Sequence, residues 1–416
     1  MQETLHFPFD SNPENIGHLL RCLDRLFPYY AYFENNGITY PHNGFPRIIH
    51  AAQKAIDIKD ASVFFGQKDL VAIVSYDYKN RLEKLESKNL SLLDCPETLF
   101  FIPELTIHFA QNGLDLVGEK AGDLVLHLKQ ATGDARKNEA VSIQVLTTAE
   151  EYATQVQAIR QHIEEGDIYE MNYCMAFGFG SPSWDPISGF LSLMAVSPMP
   201  FSAFFRAKEK YLLCASPERF VKKEHDRLIA QPIKGTIKRG ASLQEDQELA
   251  AELLHSEKER AENLMIVDLM RNDLSRISQV GSVEVEELFG VYPFPKVHQM
   301  ISTVVSKIKV DTGLSEIFRA TFPMGSMTGA PKIKCMELID AYENFKRGWF
   351  SGTLGIISAN GDFDFNVIIR SIIFDKELGK GYFAVGSAIT YDADPAYEYE
   401  ECLLKSSAIR EVLGGN

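Results

Sequence analysis

An α+β fold with antiparallel sheets is what this sequence predicts, and three observations carry the prediction. Strand-like runs often succeed one another without an intervening helix, whereas a doubly wound parallel sheet needs a helix between its strands. Helix starts are marked by capping residues that set them apart from those runs. Hydrophobic residues make up 45% of the chain and charged residues 24%, the balance of a globular protein with a sizeable core. The 416 residues suffice for one large composite fold or roughly two to three average domains.

The elements follow in order. Residues 1–130 read as short strands and turns with a few helices. The runs 29–33, 62–65, 71–78 and 124–128 mix aliphatic, β-branched and aromatic side chains and are expected to be strands. Ser75-Tyr76-Asp77-Tyr78-Lys79-Asn80 then leads into a helix. Residues 130–140 are polar and hold Thr132-Gly133-Asp134, which makes them the best boundary between a region 1–140 and a region 141–416. Thr148 and Glu151 form a capping box at the head of a helix ending near Gly166, and Ser242 with Glu245 repeats the signal. That second helical pattern runs to about Leu254, and another continues over 259–270. Strands are expected at 169–177, 202–205, 211–215, 228–231, 283–289, 298–309 and 352–357. The segments 366–374 and 381–389 read as a pair of buried strands. The last helix starts at Asp394-Pro395, with Asp as cap and Pro at the first helical position, and ends near Gly414.

A net charge of −15 argues against nucleic-acid or anionic-membrane partners, which need a basic surface. An anionic substrate would therefore require positive charge gathered locally from Lys, Arg or a metal. The six cysteines (Cys22, Cys95, Cys174, Cys214, Cys335 and Cys402) include no C-x-x-C pair, so neither a zinc site nor a disulfide framework is expected. No run of about 18 apolar residues is present. Met1-Gln2-Glu3-Thr4-Leu5-His6 lacks the basic run and apolar core of a signal peptide, and a cytoplasmic, reducing location is expected.

Several residues could carry chemistry. Glu259 and Glu262 share one face of a helix, and Glu398 and Glu401 repeat that geometry on the last helix. Two helices each offering a carboxylate suit a hard divalent cation, although glutamates at helical spacing are ordinarily a solvated face, and Glu401 with Lys405 is a well-oriented ion pair. Lys234 lies in Gln231-Pro232-Ile233-Lys234-Gly235-Thr236, where Pro restricts the backbone and Gly permits an unusual turn. It is either a nucleophile activated by its surroundings or a surface lysine at a strand end. Glu218, in Ser216-Pro217-Glu218-Arg219-Phe220, is a general acid if buried and an exposed salt bridge if not. His298 is a lone histidine that serves catalysis or structure. The loop Pro323-Met324-Gly325-Ser326-Met327-Thr328-Gly329-Ala330-Pro331-Lys332 precedes a helical pattern over 332–342, as an anion site or as a tight turn. It lacks P-loop spacing. Arg370 interrupts the apolar run 367–374, where it must bind a carboxylate or form an internal ion pair.

In this order, from Glu150 to Leu413, these motifs resemble the chorismate-utilising enzymes. The matching runs include Gly166-Asp167-Ile168-Tyr169, those around Glu218 and Lys234, 263–273, the 325–332 loop, Arg370, and Asp392-Ala393-Asp394-Pro395 through Glu401 and Lys405. Before residue 130 the likeness is looser, chiefly at 75–85. The resemblance implies a large composite fold of two packed, mainly antiparallel β-sheets flanked by helices. Residues 1–140 would pack intimately on a chorismate-binding catalytic domain, 141–416. It implies Mg2+ held by Glu262 and Glu401, with Glu259 and Glu398 close by or acting through water. Arg370, Gly386, Ser387 and Lys405 would hold a substrate carboxylate or frame the pocket, with Ser326 and Thr236 beside the substrate.

The branch within the family rests on few positions. Lys234 fits the aminodeoxychorismate synthases, where anthranilate synthases carry Ala, and Ser326 agrees with this. Glu170 stands where the hydrating branch carries a Lys and most aminating members a Gln, so it departs from both patterns. Phe350 and Ala388 replace a Tyr and a Gly common in anthranilate synthases, and no Leu-Leu-Glu-Ser element of a tryptophan site is found. The resemblance thus implies amination of chorismate at C4, with Lys234 as nucleophile, Glu218 as acid and His298 assisting proton transfer. Ammonia would come from a separate glutamine amidotransferase subunit, since no Cys–His–Glu module of that kind is recognisable. The alternatives are an anthranilate synthase component I and, from another class, a non-catalytic chorismate-binding regulatory subunit. The full set of Glu218, Lys234, Glu262, His298, Arg370 and Glu401 argues against the latter.

Overall fold

The computed structural model describes residues 4–130 and 138–414 of the chain. Two large sheets organise it, and every strand pairing within them is antiparallel. The first runs in the order Thr4–Pro8, Gly113–Gly118, Leu105–Ala110, Ile48–Ala52, Tyr29–Glu34, Phe201–Ala207, Lys210–Ser216, Ser371–Asp375, Lys380–Ile389, Glu170–Gly180, Gly329–Ala330. The second runs Ile233–Lys238, Val297–Lys307, Arg227–Gln231, Arg219–Glu224, Phe363–Asn366, Thr353–Ile357, Leu70–Val74, Thr98–Phe101. One continuous hydrophobic core draws on both sheets and on the helices outside them. The α+β expectation holds.

Strands from before and after residue 140 share both sheets. Tyr29–Glu34 pairs with Phe201–Ala207, and Leu70–Val74 pairs with Thr353–Ile357. Most of the suggested linker, 131–137, lies outside the described residues.

Capping signals placed the helices well. Thr148 and Glu151 close a full capping box on Ala149–Glu164. The 332–342 pattern is the helix Lys332–Tyr342, and Asp394 caps Pro395–Val412. Ser242 caps Leu243–His255, but the Glu245 carboxylate accepts from the Ala241 amide, so that box is only half formed.

Four expectations are corrected, the first being that the strand expected over 71–78 stops at Val74, where the Ser75 hydroxyl accepts from the Asp77 amide and starts the 3-10 turn Tyr76–Tyr78. Residues 62–65, expected as a strand, belong mostly to the helix Ile58–Phe64, because the Asp57 carboxylate accepts from the Lys59 and Asp60 amides and nucleates a turn. Residues 124–128, also expected as a strand, lie in the helix Ala121–Lys129. There Leu124, Val125 and Leu128 bury one helical face, a period that a short apolar run disguises. The segment 366–374 is not one strand. Phe363–Asn366 belongs to the second sheet and Ser371–Asp375 to the first, and the chain crosses between them through Val367-Ile368-Ile369-Arg370. Arg370 therefore sits in the crossover rather than in a strand, with a left-handed φ of 50°.

Candidate active site

The crossover is where the site begins. Its backbone is bonded to the Ser216-Pro217-Glu218 turn, with the Val367 amide donating to the Glu218 carbonyl at 3.0 Å and the Ala215 amide to the Arg370 carbonyl at 3.2 Å. Arg370 and Glu218 are thereby brought near each other. Among the described residues Arg370 makes no ion pair, and its guanidinium donates to Met199 Sδ at 3.7 Å. Burial pulls its guanidinium down to about 10, with only the charge of Glu218 opposing, so it remains cationic at neutral pH. Of the two sequence readings, an internal ion pair is not formed among the described residues, although the Glu218 charge acts on the guanidinium.

Glu218 is 5% exposed, which excludes the exposed salt bridge; its neighbour Arg219 pairs with Asp364 instead. Burial raises the Glu218 carboxyl to about 7, against the lowering pull of the Ser326 hydroxyl, the Lys234 charge, the Ile233 amide and Arg370. A carboxyl poised there is half protonated at neutral pH, as a general acid needs to be. The Ser326 hydroxyl lies near enough to influence Glu218 but forms no hydrogen bond, and it is left buried without a partner.

Lys234 is no surface lysine. Its side chain is 10% exposed, and its Nζ donates to Glu170 Oε1 at 2.6 Å across from a carboxylate that is 1% exposed. Burial works to lower the ammonium. It is outweighed by Glu170, Glu262 and Glu218, which hold it well above the usual lysine range. The local backbone makes this possible. Gly235 takes φ +95°, where the strand's register against Val297–Lys307 slips between Ile233 and Thr236. A Cβ there would come to 3.0 Å from Glu259 Oε2, so glycine lets the Glu257–Ser275 helix close over the strand. Asn263 of that helix, fully buried, donates to the Lys234 carbonyl at 3.5 Å. Thr236, beyond the slip, is exposed, and the structure gives its side chain no hydrogen bond.

His298 is buried and joins Asp246 through Nε2 at 2.9 Å. Asp246 is itself gripped by Arg239 (Nε and a terminal nitrogen, both at 2.7 Å) and by the Gly240 amide. One ring nitrogen is thus oriented, while Nδ1 is buried without a partner. Glu170 Oε2, Ser326 Oγ and His298 Nδ1 are each buried without a hydrogen-bond partner.

The two acidic pairs do meet. Glu259 and Glu262 on Glu257–Ser275 face Glu398 and Glu401 on Pro395–Val412, with the Lys258 ammonium 3.9 Å from Glu262 and 4.0 Å from Glu398. Burial raises Glu262 to about 7 and also raises Glu259 and Glu398. At Glu401 burial is outweighed by Lys405 and Lys258, which hold it low. Burial is the first cause of these three upward shifts and Lys258 opposes it at each, while an all-oxygen donor set of this kind suits a hard divalent ion. The oxygens are not drawn into a ready-made cage. Among the described residues, the one trio with ligand atoms within 4.8 Å of one another is His162, Glu165 and Asp167, near the surface, where both histidine nitrogens are already hydrogen-bonded. Ser387 donates to Glu398, and Lys405 reaches Glu401 at 2.5 Å and the Gly386 carbonyl at 3.0 Å. Both side chains are engaged with the acidic cluster.

Sequence reasoning missed Glu343 and Arg347. Both are essentially without solvent and pair through two hydrogen bonds, at 2.9 and 2.5 Å. Arg347 also donates to the Met327 carbonyl at 2.7 Å and to the Asn172 carbonyl at 3.0 Å. It therefore ties the Ser326 loop to the strand that carries Glu170. Their four-residue spacing was the only signal, and it reads as an exposed helix pair.

A model of the chorismate binding enzyme family matches residues 27–411. The chain is 39% identical over 266 residues to aminodeoxychorismate synthase component 1 of Escherichia coli (strain K12), taking in 64% of this chain and 58% of that protein. Over 365 residues, 83% of this chain and 77% of the other, it is 32% identical to aminodeoxychorismate synthase component 1 of Bacillus subtilis (strain 168). The chain thus spans little more than half of the Escherichia coli relative. Anthranilate synthase component I from Streptococcus pneumoniae TIGR4 superposes with a TM-score of 0.75 over 99% of this chain and 92% of that one, at 23% identity, a likeness of fold alone. No helix among the described residues is long and apolar enough to cross a membrane.

Proposed function

Since this chain belongs to the chorismate binding enzyme family, we propose that it aminates chorismate at C4 to give 4-amino-4-deoxychorismate, for 4-aminobenzoate and folate synthesis. The observation that carries this reading is the burial of Lys234, paired with Glu170, together with the enclosed Glu218 carboxyl, which burial raises to about 7 against the lowering charge of Lys234. The component 1 designation of the relatives supports a partner component; in this reading the partner is a glutamine amidotransferase that supplies ammonia, and the reaction is cytoplasmic.

Arg370 binds one carboxylate of chorismate. Glu262 and Glu401, with Glu259 and Glu398 nearby, would hold Mg2+, which when bound supplies positive charge for the other. Lys234 Nζ attacks C2 while Glu218 gives its proton to the departing C4 hydroxyl, which leaves as water. Ammonia then adds at C4, the Nζ–C2 bond breaks, and Glu218 recovers a proton from the new amine. His298, fixed through Asp246, presents Nδ1 to the C4 oxygen. Dividing one displacement into two is the advantage of a covalent nucleophile.

The first test is incubation of the purified chain with chorismate, Mg2+ and excess ammonium, with products identified by liquid chromatography–mass spectrometry. Aminodeoxychorismate is expected, and its formation should cease with a chelator and return with Mg2+. Anthranilate as the product would move the chain to C2 amination with pyruvate elimination, a reaction to which Lys234 is no guide.

A second expectation concerns pH. Glu218 must be protonated to act, so single-turnover formation of the Lys234 adduct without ammonia should be level below about pH 7 and fall tenfold per unit above it. Glu218→Gln should remove that limb and roughly 10²–10⁴-fold of the rate. An unchanged limb in this variant would assign it to another group.

A further inference from the structure

The steps above start from a neutral amine, yet the structure holds Lys234 as an ammonium, with no lone pair to attack. A proton must leave Nζ first. The acceptor in contact with it is Glu170 Oε1, at 2.6 Å. Water has little access, since the two side chains are 10% and 1% exposed. The second oxygen of Glu170 is buried without a hydrogen-bond partner, and among the described residues Lys234 is the side chain that hydrogen-bonds its carboxylate. In such surroundings the transfer turns two buried charges into two neutral groups, which a dry site favours more than water does. The other groups facing this pair are Glu262 from the Glu257–Ser275 helix, Glu218 from the turn, and the Cys335 thiol from Lys332–Tyr342. Glu218 is committed to the departing hydroxyl. The Cys335 thiol donates to the Glu170 main-chain carbonyl and is pushed up to about 12, by burial first, so it stays protonated.

We propose that Glu170 is the base that takes the proton from Lys234 Nζ as the amine attacks, and the acid that returns it when the amine departs. The proposal rests on Lys234 being the nucleophile. The protons balance. An Nζ–H bond breaks and an O–H bond forms on Glu170; the freed lone pair makes the Nζ–C2 bond while the C4–O bond breaks and Glu218 protonates the oxygen. When ammonia has added at C4, the electrons of the Nζ–C2 bond return to nitrogen and the Glu170 proton follows them. Net charge at the pair is the same before and after the transfer, so deprotonating Lys234 needs no hydroxide.

That last point makes the proposal testable by pH. Adduct formation on the full chain, with Mg2+ and chorismate but no ammonium, is followed by quenched-flow intact-protein mass spectrometry as a gain of chorismate less one water. In the wild type the rate should show a plateau below about pH 7. In Glu170→Gln the proton must go to solvent, so that plateau should become a slope of tenfold per pH unit, with a rate at about pH 6 lower by roughly a hundredfold or more. Glu170→Asp, which keeps a carboxylate, should restore the plateau at a reduced rate, as a merely packed side chain would not. If Glu170→Gln keeps both the wild-type plateau and the wild-type rate, Glu170 is not the base, although the Lys234 reading survives. If the wild type forms no adduct, while amination proceeds once ammonium is added, the nucleophile reading falls and this proposal with it.

Discussion

Lys234→Ala is expected to lower C4 amination about a thousandfold or more, the scale on which removing a group from the reacting atoms usually acts. The KM for chorismate should change far less, because Arg370 and the acidic cluster remain. The physical ground is that the lysine is enclosed by Glu170, Glu262 and Glu218. A charge so deeply placed is held by three carboxylates whose own burial costs free energy, and packing alone gives no reason for it. Both Lys234→Ala and Lys234→Met remove the ion pair to Glu170, and Lys234→Met, which keeps most of the side-chain length without the amine, is the control better matched for packing. The measurement is steady-state amination with ammonium, alongside mass spectrometry of the chain incubated with chorismate. Full activity in Lys234→Met with no adduct on the wild type would end the nucleophile role.

The second large effect is on stability. Arg347→Ala should lower the free energy of unfolding by about 3–5 kcal/mol, because it leaves Glu343 as an uncompensated buried charge. Beyond the ion pair, the substitution unties the Met327 and Asn172 carbonyls and strips the guanidinium from the Tyr76 ring, 4.5 Å away. Replacing both partners, as Arg347→Met with Glu343→Leu, should be much milder, since the stranded carboxylate is gone. Denaturant titration of the three chains would check this; equal losses in the single and double variants would mean that the pair does not act as a unit.

What could be read from the sequence follows from how local each feature is. The helices Ala149–Glu164, Lys332–Tyr342 and Pro395–Val412 announced themselves through caps or helical spacing within a few residues. The two acidic pairs were legible as helix faces, and their meeting across two helices was expected from the family resemblance rather than from spacing. Arg370 was noticed because a charge in an apolar run is anomalous. Its place in a crossover between sheets was hidden, because a strand that changes sheets keeps its apolar composition throughout. The contact between Glu170 and Lys234 joins the ends of two strands in different sheets, and no spacing encodes it. Glu343 and Arg347 failed for the opposite reason, since their spacing suggested something ordinary and only burial makes it unusual.

The interleaving of early and late strands also bears on how the chain is made. Tyr29–Glu34 leaves the ribosome long before Phe201–Ala207, and Leu70–Val74 waits until almost the whole chain exists before Thr353–Ile357 can pair with it. Until then those early strands present open backbone edges, the kind that recruit other chains. Assembly dominated by such distant partners is slow and vulnerable to aggregation. Nor can a cut near residue 140 yield two self-sufficient halves, because each would carry away only part of either sheet. During biosynthesis the pairing of the earliest strands therefore depends on segments synthesised much later.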